Sequence, residues 1–267
     1  MKKEELVQKV LEAVWNLKET APLIHVIPNQ VSASFTADTL RAAGARPLMA
    51  TDREEIEEIT SHADGLNVNM GQPSKEKTET ALLALQAATQ AGIPIVYDPV
   101  GAGASRARLE WNRKILAAGW TGIVKGNTTE LSALTTGTIK YSGVDALPDD
   151  NLECQTLPGF ITAITGMTDL ITDSQHKIYL PHKENIEPIV GTGCAAGALC
   201  CAYAVVSRSN LIGTITGLAL MAYAQEKVRS LPYGSRKTVI LDRINEPDRH
   251  SLEEWLYQSI SLLNPEV

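Results

Sequence analysis

Apolar positions recur every three or four residues from Lys2 to Glu19. Leu6, Val7, Val10, Leu11, Val14 and Leu17 share one face, and Thr20-Ala21-Pro22 stops the pattern. The spacing predicts an amphipathic helix, after which Leu23 to Ile27 reads as a short strand. Ser32 to Ala43 predicts a helix ending at Gly44, and Thr51-Asp52-Arg53-Glu54 has capping-box form ahead of another. Leu66 and Val68 precede the turn signal Gly71-Gln72-Pro73-Ser74, and Lys75 to Gln90 is helical up to Gly92.

The unit then repeats as strand Ile93 to Asp98, helix Arg106 to Ala118, strand Thr121 to Lys125, a helix from Asn127, and strand Phe160 to Thr165. Strands alternating with helices require crossover connections, hence a central, mainly parallel sheet with helices on both faces. Leu170 to Pro181 reads as a hairpin, the chain is helical from Cys194 through Arg229, and a last amphipathic helix covers Ser251 to Leu263. No Pro/Gly/Ser-rich linker divides the chain, so one α/β domain over residues 1–267 is expected.

Composition narrows the function classes. At 44% hydrophobic and 21% charged residues the chain is expected to fold rather than stay disordered. A net charge of -7 and no basic run argue against nucleic acid as a partner, because phosphate backbones are held by clustered Lys and Arg. Met1-Lys2-Lys3-Glu4-Glu5 does not read as a signal peptide, and the apolar stretch Ala195 to Val206 is too short to span a bilayer, so no membrane partner is expected. Cys154, Cys194, Cys200 and Cys201 have neither disulfide nor zinc spacing, which suits a reducing cytoplasm. Cys200 and Cys201 read as packing residues, and His25, on an apolar strand, as a hydrogen-bonded core histidine.

In open α/β sheets ligands collect beyond the carboxyl ends of the strands, so the loops there carry the candidate chemistry. Gly191-Thr192-Gly193-Cys194 opens a long apolar helix, where unpaired N–H groups and the helix dipole favour an anion; a plain glycine turn accounts for the same residues. Asp98 ends an apolar strand ahead of the glycine-rich Pro99-Val100-Gly101-Ala102-Gly103-Ala104, a setting that suits Mg²⁺ or a turn cap. Asn127 and Glu130 lie at i, i+3 spacing, so amide and carboxylate can point together at the strand end, or form a capping box. Thr165-Gly166 offers a hydroxyl beside them. Together, an anion hole, two acids and a cation suggest Mg²⁺-assisted phosphoryl transfer, without a P-loop or dinucleotide fingerprint.

The motifs Asp98-Pro99-Val100-Gly101-Ala102-Gly103-Ala104, Gly143-Val144-Asp145 and Val190-Gly191-Thr192-Gly193-Cys194, in this order, resemble those of hydroxyethylthiazole kinases in the ribokinase-like superfamily. The resemblance implies a kinase that moves the ATP γ-phosphoryl group to 4-methyl-5-(2-hydroxyethyl)thiazole in thiamine salvage. It implies that Asp98 and Glu130 manage Mg²⁺, directly or through water, and that Lys125 and Thr165 contact ATP, with Asn127 on the nucleotide side. It implies a thiazole pocket of Asn29, Val31, Met49, Gly71, Gly191 and Cys194. It also implies catalysis at Gly191, Thr192, Gly193 and Cys194, with Cys194 where many ribokinase-like enzymes carry an Asp base. A homotrimer with sites between subunits is implied as well.

The chain departs from the family pattern in several places. Ile27-Pro28-Asn29 stands for Ile-Thr-Asn, removing a hydroxyl and an N–H, and Ser34 and Asp38 replace asparagines. Lys125 replaces an Arg, so a planar fork becomes a point charge. The segment between Gly143-Val144-Asp145 and Ile161 is short and contains Pro158. The alternatives are a divergent kinase of another small alcohol, a nucleotide- or thiamine-related binding protein of weak activity, or an enzyme using Cys194 as nucleophile.

Overall fold

Alternate residues of the same strands feed two separate apolar cores, which makes the sheet the middle layer. In a computed structural model, which describes residues 1–139, 156–173, 175–181 and 189–263, Val96, Ile123 and Ala163 pack into one core. Their chain neighbours Tyr97, Val124 and Ile164 pack into the other. This is the period-two pleat of strands buried on both faces. The Gly143-Val144-Asp145 motif and Cys154 lie outside the described residues.

The elements run α1 (Lys3–Thr20), β1 (Leu23–Ile27), α2 (Ala33–Ala43), β2 (Arg46–Leu48), α3 (Ile56–His62), β3 (Gly65–Asn69), α4 (Lys75–Ala91) and β4 (Ile95–Asp98). They continue with α5 (Arg106–Leu116), β5 (Ile123–Asn127), α6 (Thr128–Thr136), β6 (Ile161–Thr165), β7 (Thr168–Thr172) and β8 (Lys177–Pro181). The last are α7 (Thr192–Ser207), α8 (Asn210–Lys227), α9 (Tyr233–Asn245), α10 (Arg249–Ser259) and β9 (Ser261–Leu263). The strand order is β2-β1-β3-β4-β5-β6-β7-β8-β9. The pairs from β2 to β6 are parallel, and β6-β7, β7-β8 and β8-β9 are antiparallel.

Several expectations are corrected. The helical run from Cys194 to Arg229 is two helices: Arg208 at φ 51° ends α7, and the Ser209 hydroxyl accepts from Ile212 N–H at 3.3 Å to cap α8. The two then pack antiparallel at very close range, since a Cβ on Gly213 or Gly217 would lie 2.3 Å from Ala204 N or 2.4 Å from Cys200 N. The Thr51–Glu54 segment does not cap a helix. Asp52 Oδ1 instead accepts from Glu54 N–H at 2.8 Å, a local turn, and α3 starts at Ile56. The last amphipathic pattern ends at Ser259, and its tail becomes edge strand β9 beside β8. Besides β9, α9 was not anticipated, nor was β2, whose Pro47 hides its strand character and is tolerated because β2 is an edge.

His25 is a core histidine, bonded to Thr60 Oγ1 and the Ala50 carbonyl at 2.9 and 3.1 Å. Cys200 and Cys201 are fully buried between layers, as their packing role requires.

Candidate active site

The parallel strands bring their last residues to one edge of the sheet. Asp98 closes β4 and is fully buried; its Oδ2 accepts from Lys125 Nζ of β5 and from Asn69 Nδ2 of β3, both at 3.2 Å. Asp98 Oδ1 has no hydrogen-bond partner among the described residues, and neither has Asn67 Oδ1 in β3. Burial pushes the Asp98 carboxyl above the usual carboxylate range, against the pull of Lys125. Burial likewise opposes the Lys125 charge, but Asp98 and Glu130 outweigh it and hold the ammonium above the ordinary lysine range. A buried ion pair with a free carboxylate oxygen is costly unless another partner meets that oxygen.

Asn127 and Glu130 form the capping box of α6. Asn127 Oδ1 accepts from Glu130 N–H at 2.9 Å and Glu130 Oε2 from Asn127 N–H at 2.8 Å. The second oxygen, Oε1, accepts from Gly101 N–H at 2.8 Å, tying the glycine-rich loop after β4 to the start of α6. Both oxygens thus accept main-chain N–H groups. Burial and then Asp98 still push the Glu130 carboxyl up to about 7. Thr165, at the end of β6, donates its hydroxyl to the Gly126 carbonyl of β5 at 3.3 Å and so stands beside the start of α6.

Helix α7 begins above these groups. Gly191 takes φ 97°, where a Cβ would also meet Ser32 Cβ at 3.0 Å, so both backbone and space require glycine. Thr192 N–H and hydroxyl both donate to the Ile189 carbonyl, which removes them from the helix-start donors an anion could use. A Cβ on Gly193 would lie 3.5 Å from Lys125 Nζ, and one on Gly197 3.6 Å from Asn67 Oδ1 and 3.7 Å from Asp98 Oδ2. The helix start, the ion pair and the orphan oxygens therefore share one site. Burial, and next Asp98, push the Cys194 thiol up, against Lys125 and hydrogen bonds from Ser32 and Asn69.

Of the groups expected to bind the acceptor, Asn29 and Gly71 meet Cys194, whereas Met49 lines a separate cavity that Cys194 does not reach. Asn29 Nδ2 donates to Cys194 Sγ over 3.9 Å, and Asn29 Oδ1 accepts from Val31 N–H at 3.1 Å. The Asn29 amide packs on Gly71, where a Cβ would lie 2.2 Å from Nδ2. Val31 is 61% exposed, so within one chain it stands at the mouth rather than in the wall. Met49 lines a cavity of about 610 Å³ together with Pro28, Gln30, Gln72 and Lys77.

The hydroxyethylthiazole kinase family model matches residues 14–246. The chain belongs to the hydroxyethylthiazole kinase family. A hydroxyethylthiazole kinase of Roseiflexus castenholzii is 35% identical over 89% of this chain and 91% of its own length. One of Halalkalibacterium halodurans is 35% identical over 85% of this chain and 92% of its own. Among solved structures, the hydroxyethylthiazole kinase protein of Pyrococcus horikoshii OT3 superposes with a TM-score of 0.82 at 28% identity, covering 97% of this chain and all of that one. A ribokinase-like superfamily protein of Enterococcus faecalis, at 9% identity and a TM-score of 0.64, shares the fold. The protein is thus a kinase with the ribokinase-like fold, and among the described residues no helix is long and apolar enough to cross a membrane.

Sequence reasoning missed Asn67, Asn69, Ser32, Gly197 and Lys77. The two asparagines did leave a signal: amides at i and i+2 in an otherwise buried strand fall on one face and call for polar partners. Lys77 left none, because its partners are main-chain carbonyls, one of them 49 residues away, and a carbonyl carries no side-chain signature.

Proposed function

We propose that this chain is a Mg²⁺-dependent kinase that transfers the γ-phosphoryl group of ATP to the primary hydroxyl of 4-methyl-5-(2-hydroxyethyl)thiazole, serving thiamine salvage. The family match across residues 14–246 carries the reading. The geometry supports it, since Asn29, Gly71 and Cys194 meet on one side of the α7 start and Lys125 and Asp98 lie beneath it.

The residues fit a magnesium ion. Among the described residues no group of three or more His, Cys, Asp or Glu could hold a metal unaided, whereas Mg²⁺ takes one or two carboxylates plus phosphate oxygens and water. The buried Oδ1 of Asp98 is a ready ligand, and Glu130, with both oxygens on N–H groups, would act through water. When bound, the ion neutralises charge on the transferred phosphoryl group. Lys125 adds a fixed positive charge, the start of α7 offers N–H groups to the same charge, and Asn29 orients the acceptor beside Cys194. Asn127 and Thr165 hold the strand-end loops on the nucleotide side.

ADP formation measured with and without the thiazole alcohol tests the substrate. Acceptor-stimulated turnover is expected, and its absence overturns the thiazole assignment. We also propose a cytoplasmic homotrimer of single-domain subunits with sites between them, for which sedimentation at micromolar concentration should give three times the chain mass; a monomer would contradict it.

A further inference from the structure

Lys77 stands in the first turn of α4, where the helix dipole disfavours a cation, and it makes no ion pair among the described residues. Its ammonium turns inward instead. Nζ donates to the Pro28 carbonyl and to the Gly71 carbonyl, both at 2.7 Å. Those carbonyls belong to the loops that leave the adjacent parallel strands β1 and β3. Between them lies the contact of the Asn29 amide on Gly71, and the same amide reaches Cys194 Sγ. The side chain also walls the cavity of about 610 Å³ that Met49, Gln30 and Gln72 share.

We propose that Lys77 is a positioning residue for the acceptor alcohol: its ammonium clamps the Pro28 and Gly71 loops together and so fixes the Asn29 amide in the acceptor wall. The inference rests on the proposed reading of the Asn29, Gly71 and Cys194 cluster as the acceptor's wall. Pro28 makes the clamp more important, since the proline has no N–H with which to anchor its own loop. Two charge-assisted bonds to carbonyls are strong in a partly dry setting, and no carboxylate among the described residues is paired with this ammonium. The nucleotide groups Lys125, Asn127 and Thr165 lie on other strands, so the clamp acts on one substrate only.

The test is Lys77→Met, which keeps the apolar stem and removes the ammonium, with Lys77→Gln as a second variant should the first fold poorly. The acceptor KM is expected to rise about tenfold with kcat and the ATP KM nearly unchanged, in line with the loss of two hydrogen bonds from a charged group. Hydrogen–deuterium exchange of the unliganded protein is expected to quicken in peptides covering residues 29–32 and 70–73 together. Unchanged exchange in either segment overturns the clamp, as does a variant in which the ATP KM worsens as much as the acceptor KM. Failure of the wild-type protein to phosphorylate the thiazole alcohol overturns the substrate reading alone, and the exchange measurement then decides the clamp by itself.

Discussion

Lys125 Nζ lies 3.2 Å from Asp98 Oδ2, and the two side chains are only 5% and 1% exposed. Removing one partner leaves an uncompensated buried charge. Lys125→Met is therefore expected to lower stability by about 3–5 kcal/mol, while Asp98→Asn/Lys125→Met recovers much of that loss. Neither variant should turn over ATP. Urea denaturation of the single and double variants, with an ADP assay alongside, checks both halves. A double variant no more stable than Lys125→Met would show that the pair is not a unit.

Glu130 supplies both oxygens to main-chain N–H groups, of Asn127 and of Gly101. Glu130→Gln keeps one acceptor and loses the charge, so a stability loss of about 1–2 kcal/mol is expected from the weakened cap and loop tie. Turnover should fall, with more Mg²⁺ needed for half-maximal rate. A stability loss with an unchanged Mg²⁺ requirement would leave Glu130 as a structural cap alone.

The sheet and the strand-end site were legible because hydrophobic period and glycine placement are local properties. Asp98, Glu130 and Cys194 sit at strand ends and helix starts up to 96 residues apart, Lys125 is implied only by the family resemblance, and the parallel topology brings all four together. The α7–α8 break was hidden because Ser207-Arg208-Ser209-Asn210 contains neither Gly nor Pro, and a non-glycine residue had to take φ 51°. Edge strand β9 was hidden because its pairing with β8 is nonlocal, and an apolar pattern of three residues does not distinguish strand from helix.

Burial lowers the Lys77 pKa to about 8, partly opposed by Cys194, whereas in the unfolded chain it sits near the ordinary value of about 10.4. Between those two values the folded protein has released a proton that the unfolded chain still holds, so this group makes stability rise with pH across the window. The stability of the wild-type protein relative to Lys77→Met should therefore increase from pH 7 to pH 10. The ionisable group that acts on the amine is Cys194, which opposes the effect of burial without reversing it. The acceptor KM should rise above pH 8 in the wild type and stay flatter in the variant. A pH-independent stability difference would contradict the buried charge.

Cys194 occupies the third position of α7, the place where the sequence reading expects many ribokinase-like enzymes to carry an Asp base. Its surroundings do not make a thiolate. Burial pushes the thiol up, Asp98 adds to that, and Lys125 with the Ser32 and Asn69 hydrogen bonds opposes both without reversing the direction. A thiol already mostly protonated at neutral pH is a poor nucleophile and a poor base. A loose phosphoryl-transfer transition state asks little of a base early, since the alcohol proton can leave late, so charge neutralisation carries most of the rate. Cys194→Ala is accordingly expected to keep measurable activity. In Cys194→Asp the new carboxylate would be a stronger base than the protonated thiol, so activity should be kept or increased. A nucleophilic cysteine predicts the opposite, with both variants dead. Initial rates of the two purified proteins with ATP and the thiazole alcohol separate these outcomes, and loss of turnover in both with circular dichroism unchanged would reject this account of Cys194.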